Sequence, residues 1–228
     1  MTKFPFDIVG FDLDGTLIDT AEDLRMSCNH ALELAGISPL SPTQIRSAIG
    51  GGARAMIERG ITLNGKQPVE PALFEQMFDR FLAHYEANIA VHSRPFDGAI
   101  AMLDALDAMG VKAAIVTNKL EALADKLFRE LGIRDRFTAF LGRDSLGEER
   151  GKPAPDLIHA MIERAGGGRA VFVGDSDFDI GAARAAGIPS VAVSFGFLQC
   201  PVEELGADAV IDHFDELIFT LISLKTGK

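Results

Sequence analysis

Apolar positions along this chain follow two different periods. Short, β-rich runs that are apolar almost throughout recur at 6–11 (FDIVGF), 111–117 (VKAAIVT), 137–142 (FTAFLG), 170–175 (AVFVGD), 189–195 (PSVAVSF) and 207–211 (ADAVI). Between the later runs, residues 99–110, 119–133, 154–168 and 179–188 carry apolar side chains at helical spacing, each closed by glycine in or just past its last turn. Runs without alternation suit strands of a parallel sheet covered on both faces. Strand and helix in turn therefore predict an α/β, doubly wound (Rossmann-like), mostly parallel sheet.

One stretch breaks this rhythm. Residues from about 20 to 90 offer no good strand, yet 21–36, 42–60 and 71–90 each show helix-spaced apolar positions. The pattern predicts a small helical cap domain, 19–92, inserted into a core built from 1–18 and 93–228. Its hinges are expected at Gly15–Thr20 and Val91–Pro95.

Charge and cysteine content narrow the function. Against 33 acidic residues stand only 22 basic ones, a net charge of -11. That balance argues against a nucleic-acid or anionic-membrane surface, but not against a small anion held by a lysine or a metal. Cys28 and Cys200 form no C-x-x-C pair, so neither a zinc site nor a disulfide framework is expected, and a reducing compartment fits. Asp7, Asp12 and Asp14 interrupt the first apolar stretch, no signal-peptide pattern precedes it, and no run is long enough to span a bilayer. The expectation is a soluble, cytoplasmic protein with no nucleic-acid or membrane partner. Its oligomeric state is left open.

Ligands of open α/β sheets bind beyond the carboxyl ends of the strands. Those ends read Asp12-Leu13-Asp14-Gly15-Thr16, then Thr117-Asn118, then Gly174-Asp175-Ser176-Asp177-Phe178-Asp179, with Lys152-Pro153 ahead of the helix before the last of these. Singly, each piece has an ordinary use. Thr117-Asn118 suits a helix cap, Ser176 with Asp179 fits a capping box, and Asp177 is a first-turn acid. Together they differ. Residues two apart on a strand share a side, so Asp12 and Asp14 are expected to stand together. Carboxylates gathered at one sheet edge repel unless a cation sits among them. All-oxygen ligands favour a hard ion, Mg²⁺. A buried lysine and a threonine hydroxyl suit phosphoryl oxygens. The pattern predicts a phosphoryl-transfer site.

Through DLDGT (12–16), VTN (116–118), KP (152–153) and GDSDFD (174–179), the chain resembles the haloacid dehalogenase superfamily of hydrolases. The resemblance implies that Asp12 is the nucleophile, forming an aspartyl-phosphate. It implies that Asp14 is the general acid and then base, and so must begin with a proton. Mg²⁺ would be held by Asp12, the Asp14 backbone carbonyl and Asp175. Thr117 and Lys152 would bind phosphoryl oxygens, and Asp179 would orient Lys152 or the metal's waters. Thr16 and Asn118 are further candidate substrate contacts. In the cap, Gly51 and Gly52 of the run Gly50-Gly51-Gly52 bring backbone N–H groups within reach of a ligand, and Arg54 is a candidate partner for a substrate carboxylate. His84, Tyr85 and His92 are expected to pack or to face solvent.

Within that superfamily, residues 49–60, 85–98 and 151–158 look most like phosphoglycolate phosphatases, although Asp97 stands where those proteins commonly have a second proline. The expected activity is Mg²⁺-dependent hydrolysis of a small phosphorylated metabolite, with 2-phosphoglycolate first. Alternatives are a nucleotide or sugar-phosphate phosphatase, a phosphosugar mutase, a phosphonate-cleaving relative, and a metal-binding regulatory module without turnover.

Overall fold

The structure, a computed structural model, describes residues 4–224. In chain order its elements are β1 (Ile8–Phe11), β2 (Ile18–Asp19), α1 (Ala21–Leu32), α2 (Pro42–Ala48), α3 (Ala53–Leu63), α4 (Pro71–Ala87) and β3 (Arg94–Pro95). There follow α5 (Ala99–Ala108), β4 (Lys112–Val116), α6 (Glu121–Glu130), β5 (Phe137–Leu141), α7 (Asp156–Arg164), β6 (Ala170–Gly174), α8 (Asp177–Ala185), β7 (Ser190–Val193), β8 (Ala209–Ile211) and α9 (Leu217–Ser223).

All six predicted strands lie in one parallel sheet, ordered β5-β4-β1-β6-β7-β8. Counted among these six alone, that is 3-2-1-4-5-6, the doubly wound order whose direction reverses beside the first strand. The strands have an apolar face on each side. Val9 and Phe11 of β1 join α5, α6 and α9 in one buried cluster, while Ile8 joins α7 and α8 in the other. Sealed from water on both faces, central strands such as β1 and β6 have no polar face to alternate with.

Four helices, α1 to α4, lie between β2 and β3, with α1 packed chiefly on α4. Ser41 and Gln44 form a capping box at the start of α2, where Pro42 takes the first helical position. Two features escaped the pattern. The first is an antiparallel pairing of β2 with β3 (Ile18 with Pro95, Asp19 with Arg94), which joins the two expected hinges. Two residues per strand are too few for any periodicity to register. Behind it, buried Asp23 of α1 accepts from the backbone N–H groups of His92 and Ser93 and from the Ser93 hydroxyl. The second is α9, whose run LIFTLIS is apolar on nearly every side. Leu217 and Leu221 are buried, while Phe219 stays 75% exposed.

Candidate active site

The site forms where β4, β1 and β6 end side by side. The Asp12 N–H still donates to Val173 as a continuation of the ladder, and the Thr117 N–H does the same to Leu141. Beyond Asp12 the chain turns back sharply. The Leu13 carbonyl accepts from Thr16, Leu17 and Ile18 in succession. Gly15 makes this possible at φ +84°, where a Cβ would stand 2.2 Å from an Asp175 carboxylate oxygen.

Asp179 organises the floor. One of its oxygens accepts from the N–H groups of Asp175 and Ser176 and from the Ser176 hydroxyl; the other accepts from Lys152 Nζ at 2.5 Å. It therefore caps the start of α8 and holds Lys152 at once. Lys152, beside a cis bond to Pro153, also donates to the Val116 carbonyl and lies 2.8 Å from Asp12 Oδ1. Asp175 accepts from the Thr16 hydroxyl and the Phe197 N–H. Thr16 is wholly buried and lies outside the cavity lining, so its hydroxyl positions Asp175.

Electrostatically, this floor is short of positive charge. Burial pushes the Asp12 carboxyl up to about 6, against the pull of Lys152. Burial, with Asp179 and Asp12 alongside, holds Asp175 well above the usual carboxylate range. For Lys152 burial acts downward, but Asp12 and Asp179 reverse it and the ammonium is held above its ordinary value. Asp12, Asp175 and Asp179 each bring a carboxylate oxygen within 4.8 Å of the others. Asp12 Oδ1 is buried and, beyond the Lys152 ion pair, has no hydrogen-bond partner among the described residues. A buried, clustered, all-oxygen set with one lysine among three carboxylates fits a hard divalent cation.

Asp14 faces a different partner. It leaves the strand line, so the i, i+2 rule places it near Asp12 but not in the same contacts. Lys119 Nζ lies 2.8 and 2.7 Å from its two oxygens, and the Thr20 hydroxyl donates to it at 2.6 Å. Burial acts to lower Lys119, but Asp14 and Tyr85 more than reverse this and hold the ammonium above the ordinary lysine value. Asp14 is thus held in an ion pair with Lys119, which must open before its carboxyl can turn towards a bound ester. The sequence reading missed Lys119, although it directly follows Thr117-Asn118.

Thr117 and Asn118 both line the cavity, which encloses about 310 Å³ between core and cap. Asn118 Nδ2 donates to the Lys152 carbonyl, while its Oδ1 is buried without a partner among the described residues. Thr117 Oγ1 accepts from the Lys119 N–H, a local turn two residues ahead of α6. Overhead, Gly50, Gly51 and Gly52 run at φ +117°, +70° and +93°, a left-handed succession that only glycine adopts easily. Arg59 within the cap holds the Ala48 and Gly50 carbonyls. From the core, Arg143 donates to Gly51 and Gln199 to Ile49. Arg54 lines the cavity too, but it forms a two-bond ion pair with Glu75 and lies over the Phe78 ring. Tyr85, expected to pack, is fully buried and also borders the cavity.

Comparison with known proteins agrees with this geometry. The chain is 42% identical to a phosphoglycolate phosphatase of Agrobacterium fabrum, over 100% of this chain and 98% of that one. It is 39% identical to one of Caulobacter vibrioides, over 96% and 92%. A crystal structure of a predicted phosphoglycolate phosphatase from Haemophilus somnus superimposes with a TM-score of 0.86 at 30% identity, covering 94% of this chain and 97% of that one. The profile of the haloacid dehalogenase-like hydrolases matches residues 9–193. With fold, strand-end carboxylates and sequence in accord, the chain belongs to the haloacid dehalogenase-like hydrolase family.

Proposed function

We propose that this protein is a Mg²⁺-dependent phosphatase that hydrolyses a small phosphate monoester, 2-phosphoglycolate, through a phosphorylated Asp12. The observation that carries the reading is the floor itself, where Asp12 is buried against Lys152 and clustered with Asp175 and Asp179. The names of the similar proteins supply the substrate. A cavity of about 310 Å³ suits a small metabolite.

Asp12 attacks phosphorus, and the bond from phosphorus to the ester oxygen breaks. Asp14 gives a proton to that oxygen as it leaves. Water then attacks phosphorus, Asp14 takes its proton, and Asp12 is restored with inorganic phosphate as product. Lys152, held by Asp179, and Thr117 stabilise the charge that builds on the phosphoryl oxygens. Asp12, Asp175 and the Asp14 backbone carbonyl would hold Mg²⁺, which supplies further charge neutralisation at those oxygens. Gly51 and Gly52 close over the bound ester and exclude bulk water.

Phosphate release from 2-phosphoglycolate, sugar phosphates and nucleotides, each with and without Mg²⁺, tests this reading. The expected result is a kcat/KM for 2-phosphoglycolate at least about 10-fold above the rest. A sugar phosphate or nucleotide in first place would reassign the substrate, and turnover unaffected by chelation would overturn the metal requirement.

A further inference from the structure

We propose that Lys119, beside the Tyr85 hydroxyl, receives the carboxylate of the leaving group, exchanging Asp14 for it. This inference rests on the 2-phosphoglycolate reading and adds the residue that selects that substrate.

The first support is position. Lys119 Nζ touches both oxygens of Asp14, the group that must reach the ester oxygen. In glycolate the carboxylate is one methylene from that oxygen. A substrate placed for proton delivery from Asp14 thus brings its own carboxylate towards Lys119. The second is the commitment of the other cations around the cavity. Lys152 is held by Asp12, Asp179 and the Val116 carbonyl, all part of the fixed floor. Arg143 holds the Gly51 carbonyl, and Arg54 is paired with Glu75 at a half-exposed position. Lys119 alone of these pairs with a group that has to move during the reaction.

The third support is an unsatisfied group in the same place. Lys119 Nζ lies 4.6 Å from the centre of the Tyr85 ring. The Tyr85 hydroxyl is buried, and its O–H donates to no group among the described residues. A buried donor left open beside a desolvated ammonium is suited to a carboxylate, which accepts from both. Pairing with the substrate's carboxylate also leaves the Asp14 carboxyl free to turn to the ester oxygen. A neutral leaving group supplies no such exchange.

Two esters of equal length test the assignment, 2-phosphoglycolate and 2-hydroxyethyl phosphate, which has a hydroxymethyl group in place of the carboxylate. Lys119→Met should lower kcat/KM for 2-phosphoglycolate by about 100-fold, chiefly through KM, and that for 2-hydroxyethyl phosphate by less than about 10-fold. Lys119→Arg should restore part of the preference, and Tyr85→Phe should erode it by about 5-fold. Equal losses on both esters would overturn the role of Lys119 while leaving the phosphatase reading intact. Failure of the substrate reading would show instead in the unaltered protein, as no preference for 2-phosphoglycolate. A thermal melt accompanies each variant. Should Lys119→Met not fold, the unaltered protein still decides: glycolate should compete with p-nitrophenyl phosphate and ethylene glycol should not, and equal inhibition by the two would overturn the assignment.

Discussion

The floor and the roof of the cavity are held in different ways. On the floor, Asp179 and Asp175 each have several partners: Asp179 accepts from Asp175, Ser176 and Lys152, and Asp175 from Thr16 and Phe197. Thr16 and Asp179, which tie the set together, are wholly buried, so neither can shift without stranding a partner. The roof meets the core through few bonds, chiefly those from Arg143 and Gln199 to backbone carbonyls of the loop at 49–52. Breaking them exposes carbonyls that water can satisfy. A fixed floor suits the part of the substrate that every turnover shares, the phosphoryl group. A detachable roof suits entry, exit and discrimination.

The sharpest break between the two comes from Asp12→Asn. It should lower kcat by about 10,000-fold or more and leave the melting temperature unchanged or raised, because a buried acid is replaced by a neutral isostere. A loss of under 10-fold would remove Asp12 from the nucleophile's role. Next comes Lys152→Met. By leaving Asp12 and Asp179 buried without their cation, it should cost about 3–5 kcal/mol in denaturant unfolding as well as about 1,000-fold in rate. Asp14→Asn should lower hydrolysis of an alkyl phosphate by about 100-fold or more, and of p-nitrophenyl phosphate far less, since nitrophenolate leaves without a proton. Equal losses would contradict the acid role.

Acidity provides a smaller, graded effect on the floor. Above about pH 6 Asp12 is ionised; below it, a bound proton has to be displaced by the metal. Mg²⁺ affinity, read by calorimetry, should therefore fall by about 10-fold per pH unit below about 6. A flat profile from pH 7 to 5 would place the metal away from Asp12. The smallest effect belongs to the roof. Arg143→Ala with Gln199→Ala should raise KM by about 2- to 5-fold and leave kcat and stability nearly unchanged, because two part-buried hydrogen bonds to carbonyls that water can reach contribute little net energy.

The same division decided what the sequence revealed. Six strands, all but the edge strand β8 largely buried, wrote themselves as apolar runs, and the strand order then brought Asp12, Thr117 and Asp175 to one edge. Asp179 was legible because capping and lysine-holding both need an acid three residues after Ser176. Lys119 was not, since only the departure of Asp14 from the strand line places the two side chains in contact. Arg54 points the same lesson from the cap. Its spacing after the glycines suggested a ligand contact, but the crossing of α3 and α4 pairs it with Glu75. Motifs set at strand ends inherit their geometry from the sheet; side chains on packed helices take theirs from neighbours remote in sequence.

The pairing of Ile18 with Pro95 and Asp19 with Arg94 has a consequence for modularity. Entry and exit of the inserted segment are adjacent, so the core experiences it as a closed stem, whatever its length. Lengthening such an insert adds little closure entropy, on the order of 0.6 kcal/mol per doubling of loop length. The sheet can therefore accept a longer, shorter or foreign insert at this stem without renegotiating its own strand register. Substrate choice can then change by exchange of the inserted segment while the phosphoryl chemistry stays where the sheet holds it.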